Sequence, residues 1–290
     1  MATPKKKKTV ETTGHKWDGI EEYNNPLPRW WVWVFIICII YSIGYAFVYP
    51  TWPGSAGAAK ESKEGEAWSQ YSQLDDELKA AKAGQQIYND KIAVMSAEQI
   101  TQDAGLKTFA IAAGKAQFAL SCSQCHGAGG AGTVGFPNLL DDEWLWGGKL
   151  DDIIYTITHG IRSFDNDDTR DNTMMAYGDD EMLSKEEIDD VVRFVKVLSK
   201  QAKPTESSER GAVIFADNCT ACHGEQGEGM TDMGAPALNN RIWLYGGDGE
   251  TLLKTVTSGR AGHMPAFADK LDANEIKKLA VYVQSLSGGE

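Results

Sequence analysis

One apolar run stands apart in the chain: residues 30–49, WWVWVFIICIIYSIGYAFVY, contain no charged side chain. As an α-helix this run is long enough to cross the hydrocarbon core of a bilayer, which is about 30 Å thick. We therefore predict one transmembrane helix over residues 30–49. A cleaved signal peptide has a shorter apolar segment that starts closer to Met1, and it ends at small residues that this run lacks.

Basic residues lie on the N-terminal side of the apolar run. Because the cytoplasmic flanks of transmembrane helices carry an excess of Lys and Arg, residues 1–29 are predicted to be cytoplasmic and the rest of the chain to be exported. Residues 50–107 are predicted to be a linker rich in Gly, Ala, Ser and Pro, which continues into a polar helical connector with a weak apolar stripe. The basic residues are Lys5, Lys6, Lys7, Lys8, Lys16 and Arg29.

Two later segments have the apolar spacing of amphipathic helices. Each follows a pair with the spacing of an N-terminal capping box, Ser184 with Glu187 and Asp272 with Glu275. The apolar stripes need a partner, and helices with a glycine for close approach and an aromatic ring for the crossing offer one. The stripes are Ile188, Val191, Val195 and Leu198, and Ile276, Leu279, Val283 and Leu286; the glycine and aromatic pairs are Gly114 with Phe118 and Gly211 with Phe215.

These segments belong to an internal repeat. The chain matches itself at a shift of 97 residues around CSQCH and CTACH, at 99 around WLWGG and WLYGG, and at 88 over the closing amphipathic helices. Turns and little strand periodicity lie between the helices. We therefore predict two tandem all-α domains, residues 108–200 and 209–290, joined by a linker at 201–208.

The net charge of the exported part argues against negatively charged partners. Residues 51–290 contain 22 Lys and Arg against 37 Asp and Glu, a formal net charge of −15. Such an acidic surface does not suit nucleic acid or an anionic membrane surface. It suits a basic partner, although solubility alone explains it equally well.

Each repeat contains Cys-x-x-Cys-His, the attachment motif of a c-type haem. Thioether bonds join the two cysteines to the haem vinyl groups, and the adjacent histidine reaches the iron from the same side. We therefore predict two covalently bound haem c groups, one in each repeat. The attachment residues are Cys122 and Cys125, and Cys219 and Cys222; the iron ligands are His126 and His223.

Two other uses of Cys pairs fit less well. A zinc site needs ligands that converge on one metal, whereas these two motifs lie in separate repeats. A thioredoxin-like redox pair belongs to a βαβ unit, whereas the surroundings here are predicted to be helical. The remaining cysteine, Cys38, lies in the apolar run and is interpreted as an inert apolar residue.

The ligand on the other side of each iron decides what the haem does. A thioether sulfur fills the position and raises the reduction potential, whereas an open position permits ligand chemistry. The repeat aligns Met174 in TMMAYG with Met264 in GHMPAF. We predict these two methionines as axial ligands, with Met175 as an alternative to Met174 and with His159 and His263 as rival ligands. The sequence leaves open whether each methionine serves the haem of its own repeat or of the other.

The N-terminal part carries the most specific resemblance. HKWDGIEEYNNPLPRWW at 15–31 and YPTWPG at 49–54, together with the two haem motifs, resemble the membrane-anchored dihaem cytochrome c subunit (subunit III) of cbb3-type haem-copper oxidases. The likeness covers nearly the whole chain, although that family often has Pro where this chain has Met175. The implied fold is all-α, an N-terminal transmembrane helix followed by two tandem cytochrome c-like haem domains.

The resemblance also implies a function. It places the chain in a bacterial inner-membrane complex that reduces oxygen to water and pumps protons. The oxygen site is then on a separate catalytic haem-copper subunit beside a monohaem cytochrome c subunit, and this chain passes electrons inward from a periplasmic cytochrome c or similar donor. Two other hypotheses are a tethered shuttle cytochrome for a quinol–cytochrome c complex or nitrogen-oxide reductase, and a dihaem peroxidase with one open or His-ligated iron.

Overall fold

The computed structural model describes residues 11–49 and 69–287. It divides into two compact units, Met1–Gly84 and Gln85–Glu290. The lysines at positions 5–8 and the first part of the predicted linker, residues 50–68, lie outside the described residues.

A β-hairpin precedes the apolar helix in the first unit. Strands β1 (Thr12–Trp17) and β2 (Ile20–Tyr23) pair antiparallel. Asp18 and Gly19 join them with φ of 48° and 87°, the left-handed backbone that a two-residue hairpin turn requires and that Asp-Gly supplies. The all-α prediction missed these strands, although an Asp-Gly pair between aromatic and β-branched residues signals a hairpin.

The predicted apolar run forms helix α1 (Arg29–Val48), which begins directly after Pro28. Within the described ranges it is the one helix long and apolar enough to cross a membrane, with a mean hydropathy of 2.2 over its most apolar window. None of its side chains is buried inside the chain. A helix that is apolar on all sides and covered by no protein core suits lipid surroundings.

The remaining helices form the connector and the two repeats. Short α5 and α9 contain the haem motifs, and a 3₁₀ turn covers Thr231–Met233. In chain order the helices are α2 (Gln70–Val94), α3 (Ala97–Gln102), α4 (Ala104–Ser121), α5 (Ser123–His126), α6 (Leu150–His159), α7 (Lys185–Leu198), α8 (Glu206–Asn218), α9 (Thr220–His223), α10 (Gly249–Ser258) and α11 (Ala273–Gln284). The two repeats are thus helical, as predicted.

Each closing helix packs on the opening helix of the other repeat. Helix α11, which ends the second repeat, lies against α4 and α6 of the first, while α7 of the first repeat lies against α8 and α10 of the second. The structure therefore contains two cores of mixed origin. Core 1 is built by the end of α2 with α3, α4, α6 and α11, and core 2 by α7, α8 and α10.

Glycine and aromatic residues make both exchanged crossings, as their sequence pairing predicted. A Cβ at Gly114 would overlap the carbonyl oxygen of Lys278, and one at Gly211 would overlap that of Asp190. The ring centroids of Phe118 and Tyr282 are 5.5 Å apart in the first crossing. The equivalent rings in the second crossing, Phe194 and Phe215, are 5.2 Å apart.

Both predicted capping boxes are formed. The Ser184 hydroxyl accepts from the backbone N–H of Glu187 at the start of α7, and the Asp272 carboxylate accepts from that of Glu275 at 2.8 Å at the start of α11. Each cap fixes where an amphipathic stripe begins, and so which face of the helix meets the core. Six stripe residues are buried: Ile188, Val191, Val195, Ile276, Leu279 and Val283.

The helical connector has a packing role that its weak apolar stripe did not indicate. Ile92 at the end of α2 and Ile100 in α3 are fully buried in core 1. Lys277 of α11 donates to the carbonyls of Ile92 and Met95 at 3.1 and 2.8 Å. These carbonyls lie at the C-terminal end of α2, where a positive charge is favourable. Because only the end of the long α2 makes this contact, the helix as a whole shows no clear apolar stripe that would predict it.

Candidate haem sites

The first haem motif lies where α4 ends and α5 begins. Cys122 closes α4, and the backbone N–H groups of Cys125 and His126 donate to its carbonyl at 3.2 and 3.0 Å. This single turn brings both sulfurs to one side of the chain, with the histidine directly after them. Gly127, at φ 80°, then turns the chain away in a conformation that favours glycine.

The second motif repeats this local structure. Cys222 and His223 donate to the carbonyl of Cys219 at 3.2 and 2.9 Å, and Gly224 has a φ of 79°. Cys122 and Cys219 are partly buried against core 1 and core 2, respectively. Each motif therefore sits at the edge of its own hydrophobic core.

Both histidines leave the same ring nitrogen free. Nδ1 of His126 lies 3.1 Å from the carbonyl oxygen of Pro137, and Nδ1 of His223 lies 2.9 Å from that of Pro236. A carbonyl only accepts, so Nδ1 carries the proton and Nε2 keeps its lone pair for a metal. Burial lowers the pKa of both imidazoles, which favours the neutral form that binds iron.

The first cysteine of each pair lacks the lowered pKa of a reactive thiolate. Burial raises the pKa of Cys122 and of Cys219 to about 11, and the neighbouring cysteine of each pair adds to the rise. A protonated thiol is neither a strong nucleophile nor a metal ligand. The arrangement fits two sulfurs that are held in place for covalent attachment.

The exchanged packing brings the segment of each methionine candidate against the other repeat. Met264 packs against core 1, which Cys122 also contacts. Tyr177, which follows Met174 by three residues, donates its hydroxyl to the carbonyl of Asn218 at 2.7 Å, directly before Cys219. Burial raises the pKa of this tyrosine, and the nearby thiols of the second motif add to the rise.

Backbone hydrogen bonds also join each methionine to the other repeat. Ile161 and Met264 exchange backbone hydrogen bonds of 2.9 Å, and Met174 and Arg260 exchange bonds of 3.0 and 3.2 Å. Met174 is partly buried, while the alternative Met175 has half of its surface exposed at 50%. Of the two, Met174 is therefore the less exposed to solvent.

The rival histidines have other partners. Nδ1 of His159 lies 3.1 Å from the side-chain oxygen of Asn166. His263 donates from Nδ1 to the carbonyl of Arg162 at 2.8 Å, and its ring stacks on Phe164. Both rings are thereby oriented by the loop that follows α6.

A mostly buried arginine tests whether a haem suits the first repeat. Arg170 lies over the rings of Trp146 and Tyr155, with 5.1 and 4.9 Å to the centroids. Its Nε is buried and has no hydrogen-bond partner in the described part of the chain. Such a group calls for an acceptor, and a haem brings two carboxylates. The residues present therefore fit a haem, and sequence reasoning did not single out this arginine.

Comparison with known families divides the chain into three consecutive parts. A model of the N-terminal domain of cytochrome oxidase-cbb3, FixP, matches residues 9–56. A cytochrome c model matches residues 111–199, and a model of cytochrome c oxidase, cbb3-type, subunit III, matches residues 206–283. Both haem motifs thus lie inside cytochrome c modules.

Relatives match over nearly the full length. The cbb3-type cytochrome c oxidase subunit CcoP of Cereibacter sphaeroides is 46% identical over 292 residues, 99% of this chain and 99% of the relative. The chain belongs to the CcoP/FixP family. A CcoP subunit of Azospirillum sp. strain B510 is 46% identical over 288 residues, and a FixP subunit of Sinorhizobium medicae is 44% identical over 281, each covering 97% of this chain and 96% of the relative.

Membership of the CcoP/FixP family confirms the central prediction from the sequence. The chain is a cytochrome c electron carrier of the oxidase type, and its cytochrome c modules carry covalent haem c. The comparisons do not favour the tethered shuttle cytochrome. The β-hairpin and α1 both fall within the FixP N-terminal module, residues 9–56.

Proposed function

We propose that this chain is the membrane-anchored dihaem subunit that carries electrons to the catalytic haem-copper subunit of a cbb3-type oxidase. The observation that carries the proposal is the pair of equivalent sites. Each has two cysteines on one helical turn and a histidine whose Nε2 is free, with a methionine segment brought in by the exchanged packing. Oxygen reduction takes place on the catalytic subunit, with a monohaem cytochrome c subunit beside it.

The exchanged cores support a crossed set of iron ligands. The haem attached at Cys122 and Cys125 has His126 and Met264 as ligands. The haem attached at Cys219 and Cys222 has His223 and Met174. Support comes from Met264 in core 1 and from the Tyr177 hydrogen bond beside the second motif.

The chain's own residues set up electron transfer rather than bond-making chemistry. A haem iron, when bound, accepts and releases one electron. The two prolyl carbonyls hold the histidine rings in one orientation, and a methionine thioether bound to the iron would raise its reduction potential. Because backbone hydrogen bonds tie both methionine segments to the other repeat, the two sites are held at a fixed separation.

The topology follows from the apolar helix and its flanks. Helix α1 anchors the chain in the bacterial inner membrane, with the N-terminal segment in the cytoplasm and both haem modules in the periplasm. The basic residues before Trp30 and the excess of Asp and Glu in residues 51–290 support this arrangement. Electrons then enter from a periplasmic cytochrome c or similar donor.

Intact mass and ligand binding test the proposal together. The full chain isolated from a host with the cytochrome c maturation machinery should gain the mass of two haems. Reduced anaerobically, it should show two low-spin haems that bind no carbon monoxide, since both irons have six ligands. A chain with one haem, or rapid carbon monoxide binding to either iron, contradicts the proposal and favours a peroxidase-like site.

A further inference from the structure

The loop between α6 and Met174 exposes one aromatic ring among acidic residues. We call residues 163–171 the acidic loop; it lies within the excess of residues that the first repeat has over the second. Phe164 is 92% exposed, the most exposed of the large apolar side chains within the described ranges. Asp165, Asp167, Asp168 and Asp171 are exposed as well. An exposed phenylalanine costs hydration free energy that burial against a partner recovers.

Hydrogen bonds hold the acidic loop from beneath. Ser163 is buried; its N–H donates to the hydroxyl of Thr169 at 2.9 Å, and its own hydroxyl accepts from the N–H of Ala266 at 3.0 Å. The hydroxyl of Tyr155 donates to the carbonyl of Asp168 at 2.8 Å. The outward position of Phe164 is therefore built into the loop and is not a result of missing local structure.

The basic residues of this region turn inward. Arg162 donates to the carbonyls of Gly262 and Asn172. Arg170 is covered by Trp146 and Tyr155, and its side chain is mostly buried. The outward surface around Phe164 is consequently negative, with the compensating cations beneath it.

The acidic loop lies directly over one proposed iron ligand. The Phe164 ring stacks on His263 at 5.0 Å between centroids with 22° between the planes. His263 directly precedes Met264, and Ser163 bonds to Ala266 on the other side of that methionine. A protein seated on Phe164 is thus in contact with the segment that caps the haem attached at Cys122 and Cys125.

We propose that Phe164, His263 and the acidic loop form the docking surface for a soluble, lysine-rich c-type cytochrome that donates electrons. The inference rests on the proposed function. Complementary charge speeds the encounter and orients the partner, while the exposed ring supplies the apolar anchor. One electron passes from the donor's ferrous haem to the ferric haem beneath the loop; the donor becomes ferric, and no bond or proton changes hands.

Rates of reduction by such a donor test the surface. The probe is a lysine-rich cytochrome c with a pI above about 9, mixed with the purified oxidase complex at low salt. The Asp165→Asn/Asp167→Asn/Asp168→Asn variant should lower the second-order rate constant about tenfold and flatten its dependence on ionic strength. Phe164→Ala should lower the rate constant but keep the salt dependence, because it removes only the apolar anchor.

A matched variant controls for net charge. Asp179→Asn/Asp180→Asn/Glu181→Gln removes three exposed acidic charges outside the acidic loop and should leave the rate constant within about twofold of the parent. Equal rates for the two triple variants overturn the proposal. So does release of the loop variant from the complex, since the surface is then covered by a sister subunit.

A small uncharged reductant separates this inference from the proposed function. Oxygen consumption driven by such a reductant bypasses protein docking and should be the same in the parent and the loop variants. If the parent complex itself consumes no oxygen under these conditions, the proposed function fails. If only the basic cytochrome distinguishes the variants, the docking surface is supported.

Discussion

At the scale of single residues, the two haem sites differ less in their motifs than in what surrounds them. His126 and His223 make the same carbonyl hydrogen bond, and both cysteine pairs form the same turn. The local structure of each motif therefore follows from the motif itself, and the roles of its residues stay a prediction. The environment of Arg170 could not be predicted from the sequence. Its Nε is buried and unpaired in the described part of the chain because the fold brings two aromatic rings over the side chain.

The charge of Arg170 should affect a haem potential. Arg170→Gln removes a mostly buried positive charge of the first repeat, and the loss of that charge stabilises the ferric form relative to the ferrous form. We expect the midpoint potential of the haem at Cys122 and Cys125 to fall by tens of millivolts, as measured by a spectroscopic redox titration. Arg241→Gln, an exposed arginine, serves as the control. Unchanged potentials in the Arg170 variant would show that the side chain faces no haem carboxylate.

Two glycines should be sensitive to a single added methyl group. Ala at Gly114 or Gly211 places a Cβ against a backbone carbonyl of the crossing helix, so each crossing must open. We expect each variant to lose about 1–3 kcal/mol of unfolding free energy. Gly129→Ala, where a Cβ meets nothing within 4 Å, should change stability little. Thermal or denaturant unfolding of the holoprotein measures the difference.

At the scale of elements, periodicity predicted the helices but not their partners. The stripes, both capping boxes and the glycine and aromatic pairs could be predicted, since each depends on residues close in the sequence. The two opening helices offer the same glycine and aromatic pair, so local chemistry does not distinguish α4 from α8 as the partner of α11. The choice depends on loops and on contacts across the whole second unit, including Ile92 and Ile100 from the connector.

An ion pair fastens the exchanged α7 and α8. The Asp190 carboxylate is buried and accepts from Nε and Nη2 of Arg210 at 2.6 and 2.9 Å, and from the hydroxyl of Ser207. These hydrogen bonds, the one from Arg210 above all, lower the pKa of Asp190. The contact therefore contributes stability above the ordinary carboxyl pKa of about 4, and the contribution is lost as pH falls through the lowered native value.

Replacing this carboxylate should remove the pH effect. Asp190→Asn should cost roughly 2 kcal/mol of unfolding free energy at neutral pH. As the pH falls from about 4 to the point where the chain unfolds in acid, the unfolding free energy of the variant should fall less steeply than that of the parent. Urea unfolding across this range compares the two. Parallel pH curves would mean that other carboxylates control acid unfolding.

At the scale of the whole molecule, the repeats are covalently tandem but structurally interleaved. The predicted ranges 108–200 and 209–290 follow the sequence repeat, whereas the two cores each combine helices from both repeats. Neither haem module is complete without the other's closing helix. A change in the packing of one repeat therefore affects a core that both repeats share.

Crossed ligation is most directly tested in chains that retain one haem. With Cys122 and Cys125 replaced by Ala, only the haem at Cys219 and Cys222 remains. Our account predicts that Met174→His then lowers its midpoint potential strongly, whereas Met264→His leaves it unchanged. The complementary chain, which keeps only the haem at Cys122 and Cys125, should respond to Met264→His alone. A fall in potential with the methionine of the same repeat would contradict the crossed arrangement.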